Sequence, residues 1–313
     1  MPHLILDESR AIGIDLSLIP PADVIETIDY ERILADRKAR FLSLLPVEER
    51  PAMQERLSLE SEPITLLLEE LAYAEMLIRS RINEAARQCH LASATGTNLD
   101  HLAALLGVHR LMTHPGNPSA IPPVSPTWET DTRLRYRAQL AVEGMSTAGP
   151  IESYRFHALS ADGRVADASV ISPIPGQVVV SILGNEGDGT PPPDLLAVVN
   201  AYLNGETIRP LTDEVIVQAA TLVPYQIEAV LTLYPGPAPQ PVIEAATDAV
   251  NAYIRATRRI GYDVTRSGLF AALHRAGVQN VALIEPAADI VIAATEVAWC
   301  DDMTIELSGG VDV

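Results

Sequence analysis

Apolar residues recur along this chain with two periods, and the change of period divides it. Up to about residue 110 the spacing is helical. In "IDYERILADRKARFLSLL" (28–45), Ile33, Leu34, Phe41, Leu42 and Leu45 suit one helix. Residues 46–62 are polar, acidic and interrupted by Pro46 and Pro51. The strongest pattern follows, in "EPITLLLEELAYAEMLIRSRINEAARQCHLASAT". Pro63 suits a first helical turn, where its missing N–H costs nothing. Ile64, Leu67, Leu71, Ala74, Ile78, Ile82, Ala85 and Cys89 then step by threes and fours. Leu66, Tyr73 and Leu77 mark a second, sparser face. A globular helix needs one buried stripe, so two predict packing on several sides, in a helical bundle or an assembly. "GTNLDHLAALLGV" reads as a short helix capped by Thr97 or Asn98 and stopped by Gly107.

Residues 111–128, "LMTHPGNPSAIPPVSPTW", lose the period and read as a linker or long ordered loop. "ETDTRLRYRAQLAVEGM" is a polar helix, acidic at its start and arginine-rich further along, as the helix dipole favours. From residue 164 the period shortens. "RVADASVI", "QVVVSILG", "TDEVIVQAA", "YQIEAVLTLYPG", "VQNVALIEP" and "MTIELSG" read as strands. "PPPDLLAVVNAYLNG", "QPVIEAATDAVNAYIRATRRIG" and "TRSGLFAALHRAG" read as helices between them. "VVVSILG…AVVNAYL" and "AVLTLYP…DAVNAYI" align without gaps 51 residues apart, either two related strand–helix units or a chance likeness of amphipathic helices. The expected fold class is α+β: an N-terminal helical region with a long helix, then small mixed α/β domains. The expected divisions are 1–110 helical, 111–128 linker or loop, 129–222 central α+β and 223–313 C-terminal α+β.

Composition narrows the function. No run of apolar residues is long enough to span a bilayer, and "MPHLILDESR" has no basic leader, so neither membrane span nor secretory signal is expected. The net charge of −19 repels phosphate backbones and argues against nucleic acid as a partner. It suits basic protein partners. Beyond Arg275 the chain carries acids and no Lys or Arg. Lys38 is the only lysine, and arginine pairs well at protein interfaces. Cys89 and Cys300 are too few and too distant for a disulfide framework or a metal knuckle, and are expected as reduced, buried thiols.

Candidate chemistry is thin. "VEGMSTAGPIESYRFHALSADGRV" places Ser146 between glycines and His157 eleven residues on, the raw material of a hydrolase. A nucleophile elbow needs G-x-S-x-G after a buried strand. Here Gly144 to Gly149 is one residue too long and follows a polar helix, and Gly149-Pro150 reads as a helix start. His101 and His109 are too widely spaced for a helical metal pair, and Cys89-His90 is adjacent. "GNEGDGTPPPD" lacks the ligand spacing of a calcium loop. No catalytic residue, cofactor or metal is expected; the alternative is a hydrolase using Ser146 and His157.

The long helix ending in "RINEAAR", then "TGTNLDHLAALLGV", the "ETDTRLRYR" helix, "STAGP" and "GRVADASV" together resemble the baseplate J family of contractile phage tails. That family occurs in P2-like phages, is related to the larger wedge protein of T4-like baseplates and recurs in R-type bacteriocins. The resemblance runs from about Asp23 to near the C-terminus. It implies a structural wedge subunit, not an enzyme. Implied partners are a second copy of the chain, an I-like wedge protein, a W-type sheath initiator of lysozyme-like fold, and the hub and spike. It implies an N-terminal intersubunit helical bundle and C-terminal domains that close a ring around tube and hub. Assembly would occur in the bacterial cytoplasm, and the mature site would be a tail baseplate or a bacteriocin particle. No interface residue carries over from a motif. The expected interface rests on the stripes: Ile64, Leu66, Leu67, Leu71, Tyr73, Leu77, Ile78 and Ile82.

Overall fold

The structure is a computed structural model that describes residues 16–146, 149–236 and 239–308. Thr147 and Ala148 of "STAGP" and Gly309 of "MTIELSG" therefore lie outside the described residues. The fold is α+β, with helices first and mixed sheets after. Two compact units divide it, one ending at Leu105 and one beginning at Leu106.

The first unit is helical. It holds short 3-10 turns at Leu16–Leu18 and Val47–Glu49, α1 (Tyr30–Ser43), α2 (Arg50–Arg56), α3 (Pro63–Gln88) and α4 (Gly96–Ala104). Asp29 starts α1 by accepting hydrogen bonds from the amides of Glu31 and Arg32. The pattern at 46–62 did not predict α2, yet Pro51 falls in its first turn, where proline is tolerated. Pro63 opens α3 as expected. The unit's core joins Ile33 and Leu34 of α1, Leu57 after α2, and Leu68 and Ala72 of α3.

The second unit opens with a hairpin of β1 (Met112–His114) and β2 (Thr127–Trp128), so the stretch read as linker or loop is partly ordered. The Thr113 and Thr127 hydroxyls meet across it at 2.8 Å. Gly163 backs so closely on the Met112 carbonyl that any side chain would collide. Then come α5 (Asp131–Gly144), α6 (Ile151–Ala161), β3 (Val165–Ile171), β4 (Gln177–Gly184), α7 (Pro193–Leu203) and β5 (Glu214–Ala219). β4 is the middle strand, antiparallel to β3 and parallel to β5.

A second sheet follows from β6 (Thr221–Leu233), α8 (Pro239–Thr257), α9 (Arg266–Leu273), β7 (Val278–Glu285) and β8 (Glu296–Leu307). Here β6 is the middle strand, antiparallel to β7 and parallel to β8. Ile227, Ala229 and Leu231 pack under Val242, Ala246 and Val250 of α8 and Leu269 and Leu273 of α9. The internal echo therefore falls on β4 with α7 and on β6 with α8, each strand the centre of its sheet. Ala220 alone separates β5 from β6, and it joins Leu183, Ile260 and Val297 in an apolar patch between the two sheets.

Two strands are longer than the pattern indicates. β6 begins at Thr221, before the expected start at Tyr225, and tolerates Pro224 because at that point it pairs only with β8, with β7 joining from Glu228 onward. β8 starts at Glu296, before the expected start at Met303, and its register skips Asp301, a bulge at the pair Asp301-Asp302.

Candidate assembly surface

α3 is where sequence and structure diverge most usefully. The face that packs on α1 and α2 carries Thr65, Leu68, Ala72 and Asn83, with Met76 half-covered beside them. Neither expected stripe forms this face. Thr65 and Asn83 hid it, because polar residues sit at either end of the Leu68-Ala72-Met76 run. Both polar groups are matched: Asn83 Nδ2 donates to the Glu26 carbonyl at 2.7 Å and Asn83 Oδ1 accepts from the Glu26 amide at 3.0 Å. Thr65 reaches the Leu57 carbonyl at 3.5 Å. At the margin, Glu75 sits between Arg37 and Arg79, whose hydrogen bonds hold its carboxyl below the ordinary range.

The expected interface residues fall elsewhere on the helix. Ile64 is half-buried and packs against the unit's own core. Leu67, Leu71, Ile78 and Ile82 are exposed, as are Leu66, Tyr73 and Leu77. At about 100° per residue, the own-core face, the Leu67–Ile82 stripe and the Leu66–Leu77 stripe are centred about 120° apart. Leu67, Leu71, Ala74 and Ile78 follow the 4-3-4 spacing that seats knobs into holes of a neighbouring helix. Glu70 and Arg81 lie between the two exposed stripes. In the single chain, α3 thus presents large apolar side chains over roughly half its circumference. Apolar side chains this numerous are uncommon on the open face of one helix in a soluble monomer.

The start of α5 shows how polar groups are buried when they serve the fold. Glu129 is buried, and its Oε1 accepts from the Leu111 amide at 3.0 Å and from the Arg137 guanidinium. Its Oε2 faces Arg133 Nε at 3.4 Å. Arg137 also donates to the His109 carbonyl at 3.2 Å, and Arg133 to the Gly163 carbonyl at 2.6 Å. Burial pulls both guanidiniums below their ordinary values, and Glu129 works against that. These arginines tie the β1–β2 hairpin to α6. They were legible only as a run of charge on a helix.

Ser146 and His157 do not form a nucleophile and an oriented base. The buried His157 Nδ1 has no hydrogen-bond partner among the described residues, so no carboxylate positions the ring. The ring lies against Phe156 and Tyr202, at 5.2 and 6.0 Å between centroids. Burial keeps its pKa below the ordinary imidazole value. Among the described residues no cluster of three His, Cys, Asp or Glu side chains is placed to hold a metal, and no helix is long and apolar enough to cross a membrane. Both cysteines are unpaired. Cys89 is exposed where α3 ends and Cys300 is half-buried, so neither is the fully buried thiol expected.

Comparison with known proteins agrees along the chain. Residues 60–117 match the Baseplate J-like N-terminal domain, 146–219 the Baseplate J-like central domain and 225–306 the Baseplate J-like protein C-terminal domain. Baseplate protein J of Escherichia phage P2 is 48% identical over 299 residues, 96% of this chain and 99% of that protein. A chain in the solved baseplate of the anti-feeding prophage aligns with a TM-score of 0.41 at 18% identity, covering 57% of this chain and 43% of its own. With three domains matched in order and a relative aligned from end to end, the chain belongs to the Baseplate J family.

Proposed function

We propose that this chain is a structural wedge subunit of a contractile-tail baseplate, and that α3 is its assembly element. The near-complete alignment to a phage baseplate protein carries the baseplate role. The exposed Leu67, Leu71, Ile78 and Ile82 stripe supports the assignment of α3. On this reading a second copy of the chain and an I-like wedge protein supply helices that cover its two open faces. W-type, hub and spike proteins then contact the finished wedge. The divisions 1–110, 111–128, 129–222 and 223–313 serve as an assembly region, a connection and two ring-forming modules. The chain folds in the bacterial cytoplasm and ends in the baseplate of a virion or a bacteriocin.

Co-expression with the products of neighbouring genes, followed by size-exclusion chromatography, tests this. The expected result is a hetero-oligomer containing this chain and the I-like protein. A chain that stays monomeric in their presence sinks the proposal.

A further inference from the structure

The two sheets of the second unit keep separate cores. Val180, Ile182, Leu195 and Val199 pack in the first, and Ile227, Leu231, Ala246 and Leu269 in the second. Ala220 alone stands between β5 and β6. Unless side chains fasten it, so short a joint lets one sheet swing against the other. Hydrogen bonds cross the junction at exposed positions. Ser169 Oγ of β3 donates to the Ala294 carbonyl at 2.6 Å, and Arg258 Nη2 donates to the Gly187 carbonyl at 2.8 Å. A further crossing is buried. The Ile260 amide donates to Asp167 Oδ2 of β3 at 3.0 Å, across 93 positions of sequence. Asp167 is 6% exposed, and its Oδ1 accepts from Arg155 Nη2 of α6 at 3.0 Å and from the Ala168 amide at 2.9 Å. Ile260 itself joins Leu183, Ala220 and Val297 in the apolar patch at the junction.

We infer that Asp167 is a latch that fixes the angle between the two sheets, with Ala220 as the hinge it immobilises. A buried carboxylate is not a requirement of the strand. β7 holds the corresponding place in the second sheet, an antiparallel edge strand beside the central one. Its buried residues, Val278, Val281 and Leu283, are all apolar. Nor does Arg155 alone account for Asp167. A carboxylate that serves only a guanidinium pairs best with both oxygens on the fork. Asp167 gives Arg155 one oxygen and sends the other across the junction. The backbone is shaped for this. The register of β3 on β4 skips Ala166, and past that bulge Asp167 and Ala168 are buried in succession. The exposed crossings compete with solvent and hold little, whereas a bond to a charged acceptor out of water is among the strong ones. Without Asp167 the Ile260 amide is left buried and lacking its acceptor, a state that folded chains avoid. The cheapest relief is for the junction to open.

Asp167→Asn in the full chain tests the latch, because an amide carries one acceptor and one donor group and can serve Arg155 or Ile260 but not both. Hydrogen exchange reads the Ile260 amide. Nitroxides at the exposed positions Ser172 and Gln279, in a chain with Cys89 and Cys300 replaced by serine, read the distance between the sheets. The expected result is a single narrow distance that broadens in Asp167→Asn. Exchange at Ile260 should accelerate about tenfold or more while the amides of β4 and β6 keep their protection. A distance that stays narrow overturns the inference. So does loss of protection in β4 together with Ile260, which would mean that Asp167 supports only the first sheet. Ser169→Ala removes an exposed crossing and should leave the distance narrow; equal broadening there overturns the assignment to Asp167. The unaltered chain gives a test that no folding defect can obscure. Its Ile260 amide should exchange as slowly as the amides of β4, and faster exchange overturns the latch.

Discussion

α3 and α8 are the two long helices of this protein, and they use their apolar residues in opposite ways. α8 has one apolar face. Val242, Ala246 and Val250 lie on the β7-β6-β8 sheet, and none of its large hydrophobic residues is exposed. α3 spends Leu68 and Ala72 on a small core and leaves seven large hydrophobics in the open. A helix like α8 is complete within its own chain. On the proposed reading, a helix like α3 is completed by helices of partner chains. The difference lies in the number of faces, since both helices start with proline and both step by threes and fours.

The largest expected effect breaks the comparison at α8. Val250→Asp buries a charge against the second sheet, costs several kcal/mol and unfolds that part of the chain, as circular dichroism melting would show. Opening the Glu129–Arg137 pair should rank with it. Arg137→Ala leaves the Glu129 carboxylate buried with fewer donors and costs about 3–5 kcal/mol, measured by denaturant unfolding. Leu71→Asp on α3 should do the reverse of Val250→Asp. The side chain already faces water, so folding should change by no more than about 0.5 kcal/mol while co-purification with the I-like protein is lost. If Leu66, Leu67, Leu71, Tyr73 and Leu77 can each be made charged with full partner binding, α3 is not an assembly element.

A smaller effect concerns His157. Its pKa is depressed in the folded chain, so the folded state favours the neutral ring. Stability from this source is full above the unfolded value, about 6.5, and declines as pH falls below it because the unfolded chain takes up the proton first. His157→Phe should flatten the melting-temperature profile between about pH 7 and pH 5. The smallest effect is at Ser146. Ser146→Ala should cost at most about 1 kcal/mol in unfolding free energy. Loss of a hydrolytic activity in that variant would revive the enzyme reading.

Periodicity made the boundaries of α3 and the identities of most strands legible, because Pro63 and the valine-rich runs act locally. It misassigned the inner face of α3, because burial there depends on Asn83 finding Glu26 across 57 positions. It missed α2, because Pro46 before it and Pro51 within it read as breaks. It could not see that Arg155 of α6 donates to Asp167 of β3, which in turn accepts from the Ile260 amide after α8. The apolar period of the two stripes was legible residue by residue, and of its expected interface positions only Ile64 is half-buried. The sequence could not say that both remain uncovered in the single chain.

The passage from β5 to β6 through Ala220 also has a mechanical meaning. The backbone runs from Glu214 to Leu233 with one residue outside the two strands, a contour of about 65 Å at the rise of extended chain. A pull applied at one end would load that backbone along its length. The load would fall in shear on the parallel ladders to β4 and β8, with no slack loop between to absorb it. Such a strand behaves as a tie rod: displacement imposed on one sheet is delivered to the other instead of being dissipated between them.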